Sequence, residues 1–153
     1  METKGGFYIT QIKQLQERIF ERLLAENGIE ISGGQGRIVF VLWKDNPLTI
    51  GEISVRTSLA KNTVSVVVDG MVHKGILTRQ TNPRNRRQTI ISLTAYAKSL
   101  QTKYETVSQQ MNTLFYQGFT PEEQMTFESF LARILKTLTK EEQTYKKPKE
   151  DHT

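Results

Sequence analysis

The chain has 153 residues and a net charge of +5 at pH 7, a length typical of one domain whose core needs no disulfide or metal support. It contains no cysteine, which excludes a disulfide framework, a thiolate metal site and a cysteine redox sensor. The N-terminus lacks a signal-peptide pattern and no apolar run approaches the length of a membrane span, so the sequence predicts a soluble, cytoplasmic protein.

Four helices are predicted in the first half of the chain. Apolar residues at three- and four-residue steps indicate a helix over 5–27, and Ser32 can cap a second one. Thr49 and Glu52 have the spacing of a capping box, which predicts the start of a short third helix. The fourth is predicted over 61–74, with valines on one face and polar side chains on the other.

A β-hairpin and two long helices are predicted next. The extended runs 76–79 and 88–93 flank the polar, basic stretch 81–87, which predicts a hairpin with a long basic tip. One helix follows the cap Thr94, and another begins at the capping box that opens with Thr120.

The terminal helices carry long apolar seams. Between 94 and 117 the apolar residues repeat at alternating four- and three-residue intervals, as in a coiled coil; they are Leu100, Tyr104, Val107, Met111 and Leu114. We interpret 1–30 and 94–140 as a helical dimerisation region, with packing of the seams inside one chain as the alternative. The polar residues 141–153 are predicted to form a disordered tail.

The net positive charge is concentrated in one part of the sequence. Residues 48–93 hold seven basic and two acidic residues, whereas the rest of the chain has 14 of each. Such a concentration is typical of a surface that binds a polyanion, and a solvated basic surface is the alternative.

Within this basic segment, two short helices joined by a compact turn predict a helix-turn-helix, whose second helix enters the DNA major groove. Five side chains at the start of that helix are candidate base contacts: Lys61, Asn62, Thr63, Ser65 and Val66. Asn62 could pair with adenine, whereas Val66 offers only apolar contact, for example to a thymine methyl group.

The hairpin supplies a second set of candidates. Arg84, Arg86 and Arg87 lie within four residues of one another, and arginine suits phosphate and narrow minor grooves. Arg56 and Arg79 are candidate phosphate contacts beside them. A solvated loop is the alternative interpretation of the hairpin arginines.

The segment 48–94 resembles the core of MarR-type transcriptional regulators, and the resemblance extends over about residues 9–138. The run follows the family pattern without a gap, and the matching positions are Glu52, Thr63, Val64, Ser65, Val68, Asp69, Met71, Gly75, Arg79, Arg84, Arg86, Arg87, Leu93 and Thr94. Several positions depart from it: Ala60 replaces a capping serine, Val66 and Gly70 replace arginines, Asn82 and Asn85 replace the wing acids, and Ala97 replaces a glycine.

The resemblance implies a mainly α fold with a small β-wing, in the order α1-α2-α3-α4-β-β-α5-α6, with residues 31–93 as a winged helix-turn-helix. It implies that Arg84 enters the minor groove, that Arg86 and Arg87 brace the wing or meet phosphate, and that Lys61, Thr63 and Ser65 face the major groove. It also implies a homodimer on a pseudo-palindromic operator, with half-sites about one helical turn apart.

Many members of this family lose DNA affinity when a small aromatic compound binds. Tyr8, Ile12, Trp43 and Tyr104 form a candidate effector crevice here, with core or dimer packing as the alternative. No pattern indicates a catalytic group, a metal site or a cofactor, so the chain is not expected to be an enzyme.

The sequence thus predicts a sequence-specific regulator that binds double-stranded DNA and acts as a homodimeric repressor. The alternatives are a low-specificity architectural DNA-binding protein and a winged-helix protein-interaction module. The operator, the regulated genes, the effector and the sign of regulation are left open by the sequence.

Overall fold

A computed structural model describes residues 1–146, which contain six α-helices and a small antiparallel sheet. In chain order the elements are α1 (Gly5–Glu26), α2 (Gly33–Lys44), β1 (Leu48–Thr49), α3 (Ile50–Thr57), α4 (Lys61–His73), β2 (Leu77–Asn82), β3 (Asn85–Leu93), α5 (Ala95–Phe115) and α6 (Pro121–Lys146). This is the mainly α fold with a β-wing that the sequence predicts. The chain divides into two compact units, Met1–Phe115 and Tyr116–Thr153.

Two of the helix starts form as predicted because their capping residues act locally. At α3 the Glu52 amide donates to Thr49 Oγ1 over 3.1 Å, and the Thr49 amide donates to Glu52 Oε1 over 3.3 Å. The same reciprocal pair joins Thr120 and Glu123 at α6. Each pair satisfies two backbone donors that a helix otherwise leaves free.

The core of the first unit lies among α2, α3, α4 and the sheet. Its fully buried side chains are apolar and include Ile38, Val39, Leu42, Ile53, Val64, Val68, Met71 and Ile91. The predicted apolar stripe of α4 is therefore confirmed.

The apolar seam of α5 differs from the intermolecular seam that the sequence favours. Tyr104, Val107 and Met111 are buried within the chain and Leu100 is half-buried, whereas Leu114 is exposed. The packing of α5 beside α1 accounts for this burial, and a heptad pattern alone cannot distinguish such packing from contact with a second chain. Leu100, Tyr104, Val107 and Met111 thus pack inside the chain, which is the alternative interpretation of the seam.

The sheet has the strand order β1-β3-β2 and is larger than predicted. β1 pairs with β3 through Leu48↔Ile91 and Thr49↔Ile90; the sequence analysis missed this strand because two residues show no periodicity. β2 and β3 extend beyond the predicted runs, and they pair from Leu77↔Leu93 to Asn82↔Asn85.

The predicted long basic tip of the hairpin is therefore wrong, because only Pro83 and Arg84 separate the two strands. Asparagine side chains close this turn: the Arg84 amide donates to Asn82 Oδ1 over 3.0 Å and the Arg87 amide donates to Asn85 Oδ1 over 3.2 Å. Such Asx bonds are local alternatives to longer loops.

Helix α6 forms most of the described part of the second unit. The rings of Tyr116, Phe119 and Phe127 pack together with centroids 5.9 to 6.4 Å apart. Farther along, Met125, Phe130, Ile134, Leu135 and Leu138 are exposed.

The structure corrects part of the predicted tail, because α6 continues through 141–146. Four of these six residues, Glu141, Glu142, Gln143 and Lys146, are good helix formers, and a Glu142–Lys146 ion pair of 3.2 Å joins successive turns. Residues 147–153 of the predicted tail lie outside the described residues. None of the helices over 1–146 is long and apolar enough to cross a membrane.

Candidate nucleic-acid interface

A tight turn positions α4 against α3. Ser58 adopts a left-handed conformation with φ 59° directly after α3. Ser54 Oγ then donates to the Leu59 carbonyl over 2.6 Å, and the Leu59 amide donates to Thr57 Oγ1 over 3.3 Å. These bonds fix the turn of a helix-turn-helix without help from distant residues.

Helix α4 separates a buried face from an exposed one. Val64, Val68 and Met71 are fully buried and anchor the helix on the core. Of the candidate base contacts, Lys61, Asn62, Thr63 and Val66 are exposed and Ser65 is half-buried. The four exposed side chains thus lie on the solvent side of α4, where a side chain must lie to contact DNA bases.

An interaction between α4 and β2 involves two of the predicted contacts. Arg79 on β2 forms an ion pair with Asp69 on α4 and also donates from Nη2 to Ser65 Oγ over 3.2 Å. The positive charge of Arg79 is thus already compensated by a carboxylate of the same chain. Sequence reasoning missed this pairing because nothing in the local pattern joins positions ten residues apart.

Arg56, the other candidate phosphate contact, is also paired. Its Nη2 lies 2.8 Å from the Asp45 carboxylate, and both side chains are substantially exposed. Exposed pairs of this kind contribute about 0–1 kcal/mol, so a phosphate group could replace Asp45 at little cost.

We call β2, β3 and the turn between them the wing. Its remaining arginines differ from Arg56 and Arg79 in their ion pairing. Arg84, Arg86 and Arg87 are exposed, and within residues 1–146 none of them takes part in an ion pair. Arg84 lies in the turn itself. Between the pairs Thr81↔Thr89 and Asn82↔Asn85, β3 has three more residues than β2, so the strand bulges at 86–88.

The structure brings together two of the four predicted effector-crevice residues. The ring centroids of Trp43 and Tyr104 are 4.7 Å apart, and Phe20 packs edge-on against Tyr104 from the other side. Burial raises the pKa of Tyr104 to about 12. Tyr8 and Ile12 lie exposed near the start of α1 and do not join this aromatic cluster.

Two cavities flank Tyr104. One of about 400 Å³ is lined by α1, α2, α3 and Tyr104, and includes Phe20, Phe40 and Arg37; the other, of about 220 Å³, includes Trp43. Arg37 is ion-paired with Glu17 at the first cavity. Sequence reasoning missed Arg37, because its ion-pair partner Glu17 lies on a different helix. Within the described residues no cluster of potential ligands could hold a metal ion.

The region that contains the helix-turn-helix and the wing is similar to known proteins. Residues 31–89, from the approach to α2 to most of β3, match the model of the MarR family. Over this segment the chain is similar to the MarR family. One relative, the uncharacterised HTH-type transcriptional regulator YcgE of Bacillus subtilis strain 168, is 28% identical over 102 residues, which are 66% of either chain.

Solved structures of MarR family members extend the likeness to the flanking helices. A mutant MarR from E. coli complexed with operator DNA has a TM-score of 0.77 and 21% identity, over 85% of this chain and 92% of that one. Bordetella bronchiseptica BpsR, whose DNA binding is regulated by 6-hydroxynicotinic acid, has a TM-score of 0.78 and 17% identity, over 86% and 98%. At these identities the likeness establishes the fold.

Proposed function

We propose that this protein is a MarR-type, sequence-specific regulator that binds double-stranded DNA in the cytoplasm as a homodimeric repressor. The observation that carries the proposal is the placement of charge: residues 48–93 hold all of the net positive charge and fold into the helix-turn-helix and wing. Three wing arginines are exposed and free of ion pairs over 1–146. Such cations bind DNA phosphates and release counterions. We assign the protein no catalytic activity.

Exposed apolar side chains support the homodimer. On α1, Phe7, Ile12 and Leu15 are exposed, and α6 has a longer exposed set that begins at Met125 and ends at Leu138. A second copy of the chain would cover such surfaces. A two-fold dimer requires a pseudo-palindromic operator with half-sites about one helical turn apart.

We also propose that a small aromatic effector binds beside Tyr104 and releases the DNA. The cavity of about 400 Å³ there has aromatic walls and two arginines, Arg37 and Arg56, which is the size and chemistry of a small-ligand site. The regulation of BpsR by 6-hydroxynicotinic acid supports an aromatic acid as the first compound to test.

Selection of bound fragments from a random DNA pool tests the function. The expected result is one palindromic motif, bound tightly and with strong dependence on salt concentration. A preference of less than about tenfold over random DNA would instead favour an architectural protein, because specific binding normally exceeds that ratio by far. Elution from heparin at low salt would favour a protein-interaction module.

A low-specificity architectural role is the second candidate. It is favoured by Val66 and Gly70, which leave the exposed face of α4 with few hydrogen-bonding side chains.

The Arg79–Asp69 ion pair leads to a prediction about DNA affinity. Arg79→Ala should weaken operator binding about tenfold, because it leaves the Asp69 carboxylate uncompensated near DNA phosphates. Asp69→Asn should then restore at least about threefold of the loss, whereas the same change in the wild-type background should matter less. Equilibrium binding of the four proteins measures this coupling. If Arg79 bound phosphate directly, the double variant would stay as weak as Arg79→Ala.

A further inference from the structure

The exposed face of α4 has an unusual chemistry for a surface that meets a polyanion. One helical turn after Asn62, Val66 is 72% exposed, and one turn later comes Gly70, which has no side chain. Along the line of positions 62, 66 and 70 the helix therefore presents one amide and one apolar side chain, where charged residues would be expected on an ordinary solvated face.

Strong readers of guanine are scarce on this face. Guanine is read in the major groove mainly by arginine or lysine, which donate to its O6 and N7 atoms. Arg79 is occupied by Asp69 and Ser65, and the Lys74 ammonium lies 3.3 Å from Gln35 Oε1 on α2. Lys61 is the exception: its stem runs beside Gly51 of α3, it is exposed, and it forms no ion pair within residues 1–146.

Asn62 and Val66, the exposed side chains on this line of the helix, have the chemistry that recognises an A·T pair. An asparagine amide can bond to adenine N6 and N7 together, and the methyl groups of a valine can pack on the thymine 5-methyl group. Asn62 and Val66 are four residues apart and so lie on the same side of the helix, with Cβ atoms about 5–6 Å apart. Because base pairs are stacked about 3.4 Å apart, the two side chains would reach base pairs that are one or two steps apart.

We infer that α4 reads A·T base pairs, with Val66 packed on a thymine methyl group and Asn62 bonded to an adenine one or two pairs away. The inference rests on the proposed function, in which α4 enters the major groove. It assigns Val66 as a specificity-determining residue that discriminates thymine from cytosine by apolar contact.

The sequences selected from a random pool give the first test. Each half-site should contain adjacent or nearly adjacent A·T pairs at the position of α4, located by footprinting or by a structure of the complex. A palindrome with G·C pairs there would overturn the inference and leave the proposed function intact. The absence of any enriched motif would overturn the proposed function, and the inference with it.

Replacement of the contacted thymines by deoxyuridine gives the second test, because it removes only the methyl group and preserves base pairing. The wild-type protein should bind the deoxyuridine operator about fourfold more weakly for each half-site. Val66→Ala should bind the thymine and deoxyuridine operators within about twofold of each other, because its shortened side chain no longer reaches the methyl group. Val66 is exposed, so this change should leave folding intact.

Val55→Ala is the matched control. Val55 is 77% exposed on α3, and its replacement should leave the full sensitivity to deoxyuridine. Equal binding of both operators by the wild-type protein would overturn the inference, as would unchanged sensitivity in Val66→Ala.

Discussion

Arg84→Ala is expected to weaken operator binding by about tenfold to a hundredfold, since loss of a specific arginine contact typically removes about 1–3 kcal/mol. Arg84 lies at the turn of the hairpin, is exposed, and has no ion pair among the described residues. Its charge is therefore fully available to DNA. Both protomers of a dimer lose it at once.

The dependence of affinity on salt concentration gives a second measurement of the same variant. Each cation that contacts phosphate contributes close to one unit to the slope of log affinity against log salt. Arg84→Ala should therefore lower the slope by about two for the dimer. Titrations at several salt concentrations measure both quantities.

Arg22→Ala is the control for loss of charge alone. Arg22 is exposed on α1, outside the basic segment, and its replacement should change affinity by less than about threefold because screened charges at a distance contribute little. Unchanged affinity in Arg84→Ala would reject the assignment of the wing as a DNA contact.

Gly36→Ala is expected to lower the free energy of unfolding by about 1–3 kcal/mol. A Cβ at this position would lie 2.6 Å from Tyr104 Oη. Tyr104 cannot readily retreat, because it is packed between Phe20 and Trp43. Without that clash, alanine in a helix would be more stable than glycine by about 1 kcal/mol, so the sign of the change tests the contact.

Two further variants isolate the contact. Gly34→Ala, also in the first turn of α2, meets nothing within 4 Å and should stabilise the protein by about 0.5–1 kcal/mol. Tyr104→Phe should relieve most of the destabilisation caused by Gly36→Ala, because it removes the clashing oxygen and leaves the ring carbon at an ordinary 3.6 Å. Urea unfolding of the wild-type protein, the three single variants and the double variant measures these effects. Equal destabilisation by Gly36→Ala with and without Tyr104→Phe would show that the clash is not the cause.

The parts of the fold that the sequence predicts well depend on neighbouring residues. The capping boxes at Thr49 and Thr120 act over three residues, and the valines of α4 follow a single helical period. The sequence predicts the hairpin in kind but not in extent, because its outer pairs consist of polar residues such as Thr81 and Asn82 that show no apolar alternation.

The residues of the candidate site also differ in how far the local sequence predicts them. Arg84 can be identified from its position between two extended runs, whereas the pairing of Arg79 depends on how β2 lies against α4. The aromatic cluster needs α1, α2 and α5 together, and no local pattern predicts such a contact between distant segments. The apolar seam of α5 shows most clearly what a sequence pattern cannot predict. A heptad repeat indicates that the helix packs against another helix, but not whether that helix belongs to the same chain or to a second one.

Thr49 takes part in two structures at once. It is the N-cap of α3 and the partner of Ile90 in the sheet, so the base of the wing and the first helix of the helix-turn-helix share a residue. The Arg79–Asp69 ion pair joins the wing to α4 as well. The hairpin is thus joined to α3 through Thr49 and to α4 through the Arg79–Asp69 ion pair. We therefore expect operators with different half-site spacing to be accommodated by the relation between two protomers, not by bending of the wing within either one.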